Sequence, residues 1–292
     1  MLAATAQHVG KTTVSLGVFS GLLEKWGRGR VAYCKPLGQR YSEIKTPDGR
    51  VIKVDKDVQV VRNTFKLHHP WEAMSPVVFP PGYTRKCIDG LISPTDLLNK
   101  IKDGFTVLTT SSDFLLMEAS GHIGVGSIAG VNNAQIAGAL GVDVVIIAPG
   151  GLGVSFDQLA LNKALLEVHG AHLRGVILNK VPIAAIPHPT SLLPLIECLH
   201  RPSTIPRVSA SDPTRCCEKA DSKLAAHSLN ILPVPPPSPP SQVERDKFDM
   251  VKDYYSRQLM NLWGIPLLGC IPYTDSISRP SINGFAEVVG GK

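Results

Sequence analysis

Runs of apolar residues in this chain alternate with stretches of helical spacing, and the alternation repeats. After Gly10-Lys11-Thr12, the segment Val14 to Leu23 carries apolar residues at the three-to-four spacing of an amphipathic helix. Val31-Ala32-Tyr33-Cys34 then reads as a short buried strand ending at Lys35-Pro36. Asp48-Gly49, set between polar β-prone segments, predicts a hairpin, and Val58 to Arg62 a helix behind Asp55-Lys56-Asp57. Met74 to Arg85 is interrupted by prolines and is expected to be a surface loop, with a helix from Pro94 to Ile101. Phe114 to Met117 is the next buried strand and is expected to stop at Glu118, before the glycines of Ser120-Gly121-His122-Ile123-Gly124. A helix over Asn133–Leu140, a strand over Val142–Ala148, a helix over Phe156–His169 and a strand over His172–Leu178 continue the series. The strands are continuously apolar rather than alternating, as parallel strands covered on both faces are. The expected fold is therefore α/β, a doubly wound and mostly parallel sheet.

From Pro182 the pattern breaks. More than half of the 24 prolines lie between Pro182 and Pro240, and no apolar periodicity is sustained there. Such a segment is expected to be a disordered insertion outside the core. A helix over Phe248–Trp263 and a strand through Gly264–Pro272 restore the pattern. Residues 1–182 and 243–283 are thus expected to form one domain bracketing an insertion at 183–242, with 284–292 as a tail.

The chemistry concentrates near the first residue. Gly10-Lys11-Thr12 has the form of the end of a phosphate-binding loop, in which backbone N–H groups wrap a phosphate, a lysine reaches the terminal phosphates and a hydroxyl ligates Mg²⁺. The plainer alternative, a capped helix start, explains Lys11 poorly, because a cation in the first turn opposes the helix dipole. Thr5 stands where the standard spacing has its first glycine. Only Met1 to Ala4 precede the loop, so the first strand is either stunted or begins upstream of Met1; the second is the expectation, with the sequence taken as a truncated product. Lys35 at a strand end sits where open α/β sheets bind ligands, or is a surface lysine before a turn. Asp55 and Asp57 suit a helix cap or the surroundings of Mg²⁺. Glu118, after an apolar strand, suits Mg²⁺ in a phosphate-loop protein.

Composition narrows the classes further. The 292 residues are 43% hydrophobic, enough for a sizeable core, and no apolar run is long enough to span a bilayer. Six cysteines without a CxxC pair point to a reducing compartment, and a cytoplasmic location is expected, with organelle targeting left open by the question of the start. His169 and His172 have no cysteine or carboxylate to complete a metal site and are read as surface residues. The net charge of +6 is spread along the chain and suits a small anionic ligand; no nucleic-acid signature accompanies it.

His8-Val9-Gly10-Lys11-Thr12, Lys35-Pro36, Asp57, Glu118 with its glycines, Asn179 and Ile271-Pro272-Tyr273 occur in the order found in dethiobiotin synthetase. The chain resembles that family, and within it is more similar to the dethiobiotin-synthetase-like N-terminal domain of phosphate acetyltransferases. Asn132-Asn133-Ala134-Gln135 and Gly150-Gly151-Leu152-Gly153 carry the second likeness. The resemblance covers nearly all of the chain outside the proline-rich segment and implies a P-loop NTPase fold of the dethiobiotin synthetase/MinD type. It implies ATP and Mg²⁺ as cofactors. Gln7, His8, Val9, Gly10, Lys11, Thr12, Thr13, Asn179 and Pro272 would bind nucleotide, with Asn179 on the adenine edge. Thr12, Asp57 and Glu118 would surround Mg²⁺, while Lys11 and Lys35 would be the catalytic cations. The partners implied are ATP and a small anionic substrate or effector, and relatives of the fold commonly pair as homodimers. Ala4 and Gln7 replace a glycine and a threonine of the family's loop, and Ser120-Gly121-His122 departs from its pattern after Glu118. Two classes follow: an enzyme activating a carboxylate or carbamate by phosphoryl transfer, or a nucleotide-sensing regulatory module.

Overall fold

The computed structural model describes residues 1–181 and 242–273. The expectations for the insertion (apart from Gln242) and for the tail lie outside these residues. The central sheet has six strands in the order β10-β9-β8-β1-β7-β2, all parallel. These are β1 (Leu2–Ala4), β2 (Val31–Cys34), β7 (Phe114–His122), β8 (Val144–Pro149), β9 (Leu173–Val181) and β10 (Leu267–Pro272). Two small pairs lie outside it: β3 (Leu37–Gly38) with β6 (Val77–Val78), and the hairpin of β4 (Tyr41–Lys45) and β5 (Val51–Asp55).

Alternate residues of the same strands enter two separate cores. Leu2, Ala4, Val145, Ile147 and Ile177 join a core with Val14, Phe19 and Leu22 of helix α1 (Lys11–Trp26), Val58 and Val61 of α2 (Lys56–Phe65), and Ile101 and Leu108 of α5 (Pro94–Thr110). Ala3, Ile146, Ala148 and Leu178 join the other. There they meet Leu159 and Leu166 of α7 (Gly153–Val168), and Tyr255 and Leu259 of α8 (Gln242–Trp263). A strand apolar at every position is the sequence's answer to two buried faces. Among the described residues no helix is long and apolar enough to cross a membrane.

Local signals start and stop the helices. Ser93 accepts from the Asp96 N–H at 3.3 Å with Pro94 in the first turn of α5. Asn132 and Gln135 form a reciprocal capping box on α6 (Asn133–Leu140), which ends at Gly141 in the left-handed region.

The first strand is three residues long but paired on both sides, with Leu2 and Ala4 opposite Glu118 and His122 of β7, and Leu2–Ala4 opposite Val145–Ile147 of β8. At its lower end a cavity of about 200 Å³ is lined by Met1, Leu2, Leu115, Leu116, Val142 and Val145 among others. The Val145 N–H donates to the Met1 carbonyl at 2.9 Å, carrying the ladder down to this level.

Two expectations are corrected. β7 does not stop at Glu118 but runs on to His122. A register shift sets two steps of β1 against four of β7, and the Asn133 amide donates to the Ser120 and His122 carbonyls at 2.8 Å each, so a polar, glycine-containing segment stays in the strand. Met74 to Arg85 is not all surface loop. Met74, Ser75 and Val77 are buried, because the Lys35 N–H donates to the Met74 carbonyl at 2.8 Å and β6 pairs with β3. The helix α4 (Tyr83–Ile88) follows.

Candidate functional site

β1 delivers the chain into the phosphate loop at the C-terminal edge of the sheet, between β7 and β8. The chain departs from β1 to one side of the sheet and later returns to the other, which makes this a topological switch point, the place where open α/β sheets bind ligands. The Thr5 N–H still donates to the Ile147 carbonyl at 3.0 Å, fixing the point of departure. Gln7 and His8 are exposed and Val9 is buried. His8 (φ 61°) and Gly10 (φ 93°) take left-handed conformations, and Lys11 opens α1 directly after Gly10. Such a loop, ending on a helix N-terminus, presents N–H groups to an anion.

Thr12 and Thr13 follow Lys11 in the first turn of α1. The Thr12 hydroxyl donates to Glu118 Oε1 at 2.9 Å, and the Tyr33 hydroxyl donates to Glu118 Oε2 at 2.8 Å. Glu118 is fully buried, so both of its oxygens are held by protein donors. Burial, then the Glu118 charge, raise the Tyr33 pKa well above its ordinary value, which keeps that donor protonated.

Lys35 leaves β2 with its ammonium 3.0 Å from Asp55 Oδ1 and in a closer ion pair with Asp57 Oδ2. Burial would lower its pKa, but Glu118, Asp55 and Asp57 outweigh that and hold it above the ordinary lysine value. Lys11 moves the other way: burial lowers its pKa against the pull of Glu118, and the Lys35 charge adds to the fall. The edge thus collects two cations, three carboxylates and two hydroxyls. Among the described residues no group of three or more His, Cys, Asp or Glu side chains is placed to hold a metal by itself. Thr12, Glu118 and Asp57 are nevertheless hard oxygen donors of the kind Mg²⁺ takes, and Mg²⁺ ordinarily uses one or two carboxylates and completes its shell with phosphate and water. The residues present fit that ion.

On the opposite side, Asn179 is buried in β9 and its amide donates to the Val9 carbonyl at 2.7 Å. Lys180, left-handed at φ 56°, donates to the His8 carbonyl at 2.7 Å. A Cβ on Gly10 would lie 2.3 Å from Asn179 Nδ2, so glycine there permits the close approach as well as the positive φ. Pro272 ends β10 in register with Val181, one strand beyond β9 from the loop.

Two residues at the site, Tyr33 and Lys180, are missing from the sequence-derived set, and Asp55 is there without its link to Lys35. Asp55 was grouped with Asp57 as a cap or metal neighbour; it is the cap, accepting from the Asp57 N–H at 2.9 Å, and it also holds Lys35. Tyr33 carried no signal beyond its place in an apolar strand. Lys180 had one, its position next to Asn179, but its contact lies 172 residues away.

A family model described as an AAA domain matches residues 1–281. The ATP-dependent dethiobiotin synthetase BioD of Clostridium kluyveri is 27% identical over 183 residues, which cover 61% of this chain and 73% of that protein. The corresponding protein of Methanocaldococcus jannaschii is 26% identical over 179 residues, 61% of this chain and 78% of its own. Among solved structures, the MinC:MinD cell division protein complex of Aquifex aeolicus superposes with a TM-score of 0.35 at 16% identity, over 62% of this chain and 68% of that one.

Proposed function

The chain belongs to the AAA_26 family of AAA domains and is a dethiobiotin synthetase-like P-loop protein, and on that premise we propose that it binds ATP with Mg²⁺ and transfers the γ-phosphoryl group to a carboxylate or carbamate of a small anionic acceptor. The observation that carries this is the convergence of Lys11, Lys35, Thr12, Asp57 and Glu118 at one edge of the sheet, beside the loop.

In the proposed reaction an oxygen of the acceptor attacks the γ-phosphorus, the bond to the bridging oxygen breaks, and ADP leaves. If the acceptor is the carbamate of a diamine, as in dethiobiotin synthetase, the resulting mixed anhydride is closed to a ring by the second amine, with release of phosphate. Such a transfer needs positioning and charge stabilisation rather than a covalent catalyst. Lys11 would hold the terminal phosphates from the helix start. Lys35, kept protonated by its carboxylates, would stabilise the moving phosphoryl group or the acceptor anion. Thr12, Asp57 and Glu118 would hold the metal, which supplies neutralisation of phosphate charge when bound. Asn179 would meet the adenine edge while keeping its amide on the loop.

The test is ADP formation with and without diaminopelargonate and bicarbonate. ADP release that requires both additions supports the proposal. Tight ATP binding with no turnover under any of these conditions would instead mark a nucleotide-sensing module.

A further inference from the structure

Lys35 is shared between two carboxylates that differ in freedom. Asp55 is fully buried and locked. Its Oδ1 accepts from the Asp57 N–H at 2.9 Å, its Oδ2 accepts from the Gln39 N–H at 3.2 Å, and its own N–H donates to Ser75 Oγ at 3.0 Å. Gly38 packs so closely that a Cβ there would stand 2.9 Å from both Asp55 Cβ and Oδ2. The Asp57 side chain, by contrast, is 33% exposed, extends from the first turn of α2, and is tied to Lys35.

Lys35 holds Asp57 through Oδ2, and a divalent cation brought to the same carboxylate repels that ammonium and draws off its share of the negative charge. Mg²⁺ at Asp57 therefore loosens the hold of Asp57 on Lys35. With no second anchor, the lysine would either compete with the metal for Asp57 or swing away from the phosphates. Asp55 removes that conflict, because it holds the same ammonium at 3.0 Å from a position that cannot follow Asp57.

We infer that Asp55 is a positioning residue that retains Lys35 when Asp57 is released to the cation, so that lysine and metal act together instead of excluding one another. This rests on the proposed function, in which Asp57 faces Mg²⁺.

The experiment is a Mg²⁺ titration of fluorescent ATP-analogue binding by the full chain, with Asp55→Asn, Lys35→Met and the double variant beside the wild type, each checked by thermal melting. Asparagine remains a good helix cap, and Asp55→Ser, also a good cap, stands in if Asp55→Asn does not fold. With Asp55→Asn, Lys35 has Asp57 alone, and the Mg²⁺ concentration at half-maximal binding should rise on the order of tenfold, as for coupled groups in one network. Adding Lys35→Met should return the midpoint to that of Lys35→Met alone, since no ammonium is left to compete. A purely structural Asp55 would give no such rescue. An unchanged midpoint in the single variant, or a double variant as impaired as Asp55→Asn, overturns the inference while the proposed function stands. A wild type whose binding ignores Mg²⁺, or that binds no ATP, overturns both.

Discussion

The two flanks of the phosphate loop are built on different principles. Toward β2 and β7 the loop faces charge: Lys35, Asp55, Asp57 and Glu118, with Tyr33 and Thr12 donating to the glutamate. Toward β9 it faces two side chains, Asn179 and Lys180, that bind its backbone carbonyls and so hold its shape. Buried charges in mutual contact cost more to desolvate than apolar residues of the same volume, so the first flank is a poor way to gain stability. Its composition makes sense as chemistry held in waiting. The second flank is inexpensive, and it fixes two carbonyls of a loop whose N–H groups must point elsewhere. One flank therefore bears on what the site does, and the other on whether the loop exists in the right form.

That contrast can be broken most strongly at the residue both flanks serve. Lys11→Ala removes the cation at the helix start and should weaken Mg·ATP binding by about 1.5–3 kcal/mol, the range for a hydrogen bond to a charged group. Calorimetry giving an unchanged affinity would end the phosphate-loop interpretation.

On the charged flank, Glu118→Gln should weaken the Mg²⁺ dependence of ATP binding while lowering the melting temperature by no more than a few degrees. A variant that is strongly destabilised, yet keeps normal Mg²⁺ dependence where folded, would make Glu118 a structural residue serving Tyr33 and Thr12.

On the shape-holding flank the signature should be the reverse. Asn179→Ala frees the Val9 carbonyl and should lower ATP affinity by about 1 kcal/mol, the worth of one buried hydrogen bond, with the Mg²⁺ titration midpoint unmoved. A shifted midpoint would show that the flanks are not separable.

The smallest effect is expected farthest from the site. The cavity beneath Met1 lies between apolar residues of β7 and the start of β8. Four β-branched residues placed ahead of Met1 would extend β1 into it, and differential scanning calorimetry should show a melting temperature higher by a few degrees, with ATP affinity scarcely altered. Equal melting temperatures would mean that the slot does not accept a strand.

How far the sequence foretold these flanks depended on the range of the contacts involved. Val144 to Ala148, apolar at every position, declared a central parallel strand, and Gly10-Lys11-Thr12 declared the loop. Both are local signals. The extension of β7 through Glu118-Ala119-Ser120-Gly121-His122 was hidden, because those residues read as a loop unless Asn133 is known to hold their carbonyls. Burial of Met74 and Ser75 was hidden in the same way, since it depends on Lys35, far back along the chain. Asp55 and Asp57 are nearly equivalent as letters. What separates them is depth: one is sealed under Gly38 and the other is a third exposed.

The Asn179–Val9 bond also bears on the order of events as the chain is made. Its partners are 170 residues apart, and a contact that closes so long a loop forms late, after nearer pairings have paid the entropy of bringing the ends together. The loop residues, made long before Asn179 and Lys180, would thus be among the last to take their working form. A nascent chain released at residue 170 would carry the whole Gly10-Lys11-Thr12 sequence and lack the two side chains that give it shape. ATP-analogue capture by arrested chains of increasing length should accordingly begin only once residue 180 has emerged, however early the helix behind the loop is formed.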